Sequence, residues 1–267
     1  NAADVWKRQK GLTQWVATQY QFNQLVQATP GNADLLIEAA RVNGWADRNA
    51  EAAELYARVL QVAPQRLPDI RGAFAWQLLW SGKPALALAY FQDELVAKPK
   101  DREIRHGLAE ALIQLNDLPK ALENYREQIV HFPDDAKAQK GEARVLAWLG
   151  RSVEARLAWQ AILSRSPSDR EARFALARLD NQNGHHQLAA RQLRGLLSEK
   201  EDAGIRLELA RALRWSGDER AARETIATLQ GREVDELRLA LNSSLQNRVA
   251  VNAEASRDSD DLKVRGQ

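Results

Sequence analysis

Residues 136–169 read AKAQKGEARVLAWLGRSVEARLAWQAILSRSPSD, and this stretch decides the fold. It is two short runs of helical period, divided by Gly150 and closed by Pro167. The closing proline recurs along the chain at Pro30, Pro64, Pro99, Pro133 and Pro167, in steps of 34, 35, 34 and 34 residues. A helix-turn-helix unit repeated at that interval marks a solenoid, because one unit cannot bury its apolar face without a neighbour.

A residue-by-residue comparison supports the period. With each unit starting three or four residues after a proline, the eighth position falls on Ala40, Ala75, Ala109, Ala143, Ala177 and Ala210. Twelve positions on stand Ala52, Ala87, Ala121, Ala155, Ala189 and Ala222. Small residues at both places let two antiparallel helices approach to the lower end of the usual spacing of roughly 8–10 Å. Between them, Gly82, Gly150, Gly184 and Gly217 occupy the turn where a helix C-terminus favours a left-handed residue, with Asp47 and Asn116 in the other two units. Four residues after the second alanine come Tyr56, Phe91, Tyr125, Trp159, Leu193 and Ile226, which are expected to fill the space between helices.

With its small-residue pair, turn glycine, bulky filler and closing proline, the chain resembles the tetratricopeptide repeat family over residues 33–230. The resemblance implies an all-α, right-handed superhelical solenoid of six units. We expect these at 33–67, 68–101, 102–135, 136–169, 170–202 and 203–232, stacked on a continuous core. The last two units lack the closing proline, and the step from Gly184 to Gly217 is 33, a deletion that an inter-unit loop can absorb.

Composition narrows the function. The 267 residues carry 38 basic and 36 acidic side chains, for a net charge of +2, with no Lys/Arg cluster of the kind that tracks phosphates, so no nucleic-acid partner is expected. No apolar run approaches the roughly 18 residues of a membrane helix. There is no cysteine, which removes disulfides, thiolate metal sites and cysteine nucleophiles together, and suits either cytoplasm or periplasm. Asn1 is followed by no charged-then-apolar leader, so any signal peptide would already have been removed.

Four histidines, His106, His131, His185 and His186, are the only side chains that titrate near neutrality. His185 and His186 follow Gly184 and read as solvated turn residues, with no third ligand at metal spacing. His131 is expected in the last turn of its helix. Without a phosphate-cradling glycine loop or a nucleophile elbow, the sequence predicts no enzyme, no cofactor and no metal.

The informative residues are aromatic. Trp45, Trp80, Trp148 and Trp215 share the thirteenth position of their units, where Gln114 and Gln182 stand in the other two. Four residues earlier, at the ninth position, come Arg41, Arg144, Arg178 and Arg211, with Trp76 in the second unit. Residues four apart share a helix face. In tetratricopeptide arrays those positions line the concave groove, so the resemblance implies a ligand-binding stripe of Trp45, Trp76, Trp80, Trp148 and Trp215 with Arg41, Arg144, Arg178 and Arg211. Either each tryptophan stacks on the arginine one turn back, worth about 0.5–1 kcal/mol at an exposed site, or the rings are platforms for a long ligand such as a sugar polymer. Trp159 sits at the filler position and is expected in the core. The family's carboxylate clamp, Lys at the fifth and Asn at the ninth position, is missing from the pairs Ile37 and Arg41, Gly72 and Trp76, His106 and Glu110, and Lys140 and Arg144. Arginine-lined grooves can still take acidic peptides by bidentate pairing.

The ends differ from the middle. Residues 1–32, with Trp6 and Trp15, read as a cap or partial unit, and 233–246 as a capping helix with Leu237, Leu241 and Leu245 in register. From Arg248 the pattern alternates with period two, turns at Arg257–Asp261 and alternates again from Leu262, so 247–267 is expected to be an extended tail or the opening of a β-barrel. A repeat solenoid leading into a barrel is similar to the layout of bacterial exopolysaccharide export proteins, of the type that exports poly-N-acetylglucosamine or cellulose. That resemblance implies a periplasmic scaffold for polysaccharide export in biofilm formation, guiding exopolysaccharide and recruiting envelope proteins to an outer-membrane pore. A generic peptide- or helix-binding interaction module, cytoplasmic or periplasmic, is the alternative.

Overall fold

The computed structural model describes Phe22 and residues 24–243, and every regular element among them is helical. After a helical stretch at 24–28, the helices are α1 (Ala33–Trp45), α2 (Asn49–Val62), α3 (Leu67–Trp80), α4 (Pro84–Ala97), α5 (Arg102–Gln114), α6 (Leu118–His131), α7 (Ala136–Trp148), α8 (Ser152–Arg165), α9 (Arg170–Gln182), α10 (His186–Glu199), α11 (Ala203–Trp215) and α12 (Glu219–Ile226). Helix α13 covers 232–243. The expected extended tail at 247–267 and most of the N-terminal segment, Trp6 and Trp15 included, lie outside the described residues.

The chain falls into two compact bodies, Asn1–Arg151 and Ser152–Gln267. In the first, α1 to α7 pack in sequence, each helix against the next. In the second, α8 to α12 do the same, and Leu237 and Leu241 of α13 are buried in one core with Leu193, Leu209 and Ile226.

Local chemistry sets these boundaries. Side chains of Asn32, Asp101, Asp135, Asp169 and Asp202 accept hydrogen bonds from backbone N–H groups in the first turns of α1, α5, α7, α9 and α11. Each cap satisfies a donor that the helix cannot, worth typically about 1 kcal/mol. At the other end of each of these helices, and of α3, the six turn residues Asp47, Gly82, Asn116, Gly150, Gly184 and Gly217 all have φ between 59° and 90°. The residue after each donates its N–H five residues back, as in Lys83 N to Leu78 O and Asp218 N to Leu213 O. That is the Schellman closure, which needs a left-handed residue. The shorter fifth unit also has a simple explanation. The α8–α9 loop runs Ser166–Asp169 and the α10–α11 loop Lys200–Asp202, so the missing residue comes out of the loop and the helices keep their lengths.

All twelve register alanines are fully buried. The filler rings Phe91 and Tyr125 each seat against a glycine of the following unit. A Cβ built on Gly107 would lie 2.4 Å from the Phe91 ring, and one on Gly141 would lie 2.4 Å from the Tyr125 ring. Trp159 is 1% exposed, as expected for a core ring.

Candidate functional site

In the first body the structure brings Arg41, Trp45, Trp76 and Trp80 together around one cavity of about 700 Å³, with Tyr56 and Gln77 on its wall. Position thirteen is the last residue of α1 and α3, so each tryptophan projects beside its turn instead of into the core. Trp45, Trp80, Trp148 and Trp215 are 41%, 53%, 51% and 50% exposed. Of these four rings, Trp45 and Trp80 lie on one cavity wall, a contiguous exposed aromatic surface of the kind found at binding sites. Trp76 is half-buried. Its ring centroid lies 4.9 Å from that of Trp80 at 32° and 5.3 Å from that of Phe91 edge-on, with the Lys137 ammonium 5.8 Å from it.

Arg41 and Arg211 are held by carboxylates instead of stacking on the tryptophan one turn on, which was one of the two arrangements the spacing allows. Arg41 pairs with Glu38, and Arg211 pairs with Glu208 at 3.5 Å and Glu233 at 2.6 Å. Arg178, whose unit has Gln182 at position thirteen, lies 5.9 Å from the Phe174 ring one turn back. A carboxylate within reach outcompetes an indole face for an exposed guanidinium. Arg41 and Arg144 act on the buried filler tyrosines. Burial pushes both hydroxyls up, Tyr125 to about 12, while Arg41 and Arg144 pull Tyr56 and Tyr125 the other way. Trp148 and Arg144 are in the first body, outside the cavity; Arg178, Arg211 and Trp215 are in the second.

Sequence reading missed two polar clusters. His106, 2% exposed, lies between Gln128 at 3.0 Å and Asp135 at 3.2 Å, and Gln128 Nε2 donates to Asp135 Oδ2 at 2.7 Å. Asp135 is also the cap of α7. Burial lowers the His106 pKa, with Lys137 adding to it against Asp135 and Glu103. The second cluster corrects the solvated-turn reading of His186. That residue opens α10, its Nδ1 is 2.8 Å from Asn181 Oδ1, and its ring lies 5.6 Å from Trp215. Asn181 in turn donates to Glu208 at 2.8 Å. Of the pair, only His185 is exposed, with its Nδ1 3.8 Å from Asp180. The signal was present as polar residues at positions that are apolar in most units: Gln128 matches Val59, Ile162, Leu196 and Leu229 but also Glu94, and Asp180, beside Asn181, matches Leu78, Leu112, Leu146 and Leu213 but also Asn43.

Among the described residues no group of three or more His, Asp or Glu side chains could hold a metal ion, and no helix is long and apolar enough to cross a membrane. Paired helices, register alanines and Schellman turns together define the tetratricopeptide-repeat solenoid fold. Solved structures with this fold match the chain at low identity. A tetratricopeptide repeat protein from Parabacteroides merdae is 18% identical with a TM-score of 0.70, covering 80% of this chain and 87% of its own. A thermophilic repeat protein from Thermus thermophilus is 23% identical with a TM-score of 0.52, covering 68% and 99%. MamA from Desulfovibrio magneticus is 18% identical with a TM-score of 0.53, covering 65% and 96%. No protein-family model and no curated protein matches the chain.

Proposed function

We propose that the chain is a non-enzymatic binding scaffold that guides an exopolysaccharide and recruits envelope proteins at an outer-membrane export pore. The observation that carries the reading is the set of half-exposed tryptophans at one repeat position, Trp45, Trp80, Trp148 and Trp215. Indole faces suit the C–H faces of sugar rings, and a ring recurring at one position in four of the six units suits a ligand that itself repeats. The periplasmic setting rests on the alternating segment from Arg248 onward, outside the described residues.

The test is titration of oligosaccharides of matched length against wild type and the double variant Trp80→Ala/Trp148→Ala. Ring stacking in single-stranded nucleic-acid binders is worth roughly 1–3 kcal/mol per ring, and sugars belong at the lower end. The double variant should therefore bind at least about tenfold more weakly, with little loss of stability. Equal affinities would replace this reading with a second one, a protein-interaction module. The contact of Arg211 with Glu233 of α13 favours that second reading, because a position-nine guanidinium already holds a carboxylate from a helix laid beside it.

A further inference from the structure

The six units are alike enough that their departures from pattern can be compared, and three departures meet in one place. Position nine is arginine or glutamate in five units but Trp76 in the second. Position ten is Val42, Ala111, Val145, Leu179 and Ala212 in the others but Gln77 in the second. Position twelve of the first unit is Gly44, inside the last turn of α1, where glycine weakens a helix. All three line the cavity that also holds Trp45 and Trp80.

Their geometry is consistent with a built site. Gln77 is 9% exposed, and its Oε1 is buried with no hydrogen-bond partner. A Cβ on Gly44 would lie 2.8 Å from Gln77 Nε2 and 3.2 Å from Oε1, so glycine makes the room in which the carboxamide rests. A buried acceptor without a donor is costly, and at position ten the other five units carry an apolar side chain. Conflicts between local pattern and overall fold concentrate at functional sites.

We infer that this cavity is a subsite for one neutral, hydroxylated ring, a pyranose unit, whose hydroxyl donates to Gln77 Oε1 while the indoles cover its C–H faces. A volume of about 700 Å³ is within the range of about 300–1,000 Å³ typical of small-ligand pockets. Charge selects a neutral occupant. The two charged residues on the wall, Arg41 and Asp47, are of opposite sign, Arg41 is paired with Glu38, and the nearby Lys137 ammonium is paired with Glu110 at 3.7 Å. The inference rests on the saccharide reading above and adds a residue that reading does not need.

The experiment is calorimetric titration of the whole chain with cellotetraose and, in parallel, with an uncharged Trp-containing peptide of similar length. Gln77→Leu removes the acceptor at nearly constant volume. It should weaken cellotetraose binding about tenfold or more while leaving the thermal midpoint unchanged or raised. Gly44→Ala, which displaces the carboxamide, should weaken it in the same direction and serves if Gln77→Leu fails to fold. Loss of binding in Trp80→Ala/Trp148→Ala with no change in Gln77→Leu and Gly44→Ala would overturn the subsite and leave the polymer reading standing. No binding of cellotetraose to wild type, or Gln77-dependent binding of the peptide alone, would overturn both.

Discussion

Single atoms decide the behaviour of several residues here. Gly107 and Gly141 sit where a methyl group would enter an aromatic ring, so Gly107→Ala should destabilise the protein by about 1–3 kcal/mol through overpacking, despite alanine's better helix propensity. Gly195, inside α10 with nothing within 4 Å of its would-be Cβ, is the control; Gly195→Ala should stabilise by up to about 1 kcal/mol. Urea denaturation of the two variants separates these signs. His106 gives a pH-dependent case. Burial first, and Lys137 after it, holds its imidazole neutral below the ordinary 6.5, with Asp135 and Glu103 opposing. The unfolded chain therefore takes up a proton at a pH where the folded one does not. Stability from neutral His106 is complete above about pH 6.5 and drains away as pH falls below it. Asp135 adds a second loss at lower pH. Burial opposes its ionisation, but the Ala138 N–H and Gln128 outweigh burial and hold it below the usual carboxylate range. The midpoint of thermal unfolding should fall between about pH 7 and 5, and His106→Gln, which keeps a polar group but no charge, should flatten that slope.

At the level of the helix, capping and filling do different amounts of work. Asp135→Ala removes the cap of α7 and also strands Gln128 beside a buried imidazole, so it should cost clearly more than the roughly 1 kcal/mol of Asp202→Ala, which removes a cap alone. Trp159→Ala should cost about 3–5 kcal/mol by leaving a cavity between α8 and its neighbours, while Trp80→Ala should cost little. Chemical denaturation of all four variants measures the contrast. The helices themselves were legible because the rules that set them are local: alanine pairs twelve apart, a left-handed residue between them, a filler ring after. The polar clusters were not legible in the same way. His106 and His186 look like surface residues until the chain brings Gln128, Asp135 and Asn181 to them from other elements. The exposure of a position-thirteen ring was legible, since it follows from its place at a helix end, whereas the partner an arginine chooses depends on distant carboxylates such as Glu233.

For the molecule as a whole, the period makes units removable. Deleting 102–135 would join the end of α4 to the start of α7 and bring Phe91 to Gly141, a seat already shaped for a ring. Far-ultraviolet circular dichroism should show the helical signal per residue retained and the midpoint of unfolding lowered, as expected when stability sums over neighbour contacts. Collapse of the helical signal would mean that the units do not fold by nearest-neighbour addition. The same seats impose a syntax. The sixth position of successive units reads Glu38, Ala73, Gly107, Gly141, Ala175 and Glu208, so a unit ending in Phe91 or Tyr125 can be followed only by one that leaves a hollow there. Placing the first or sixth unit behind the third would drive a carboxylate into the Tyr125 ring. Recombination within such a gene can therefore shorten the array by dropping a middle unit, but it cannot freely shuffle the order, and the sequence of units is itself inherited information.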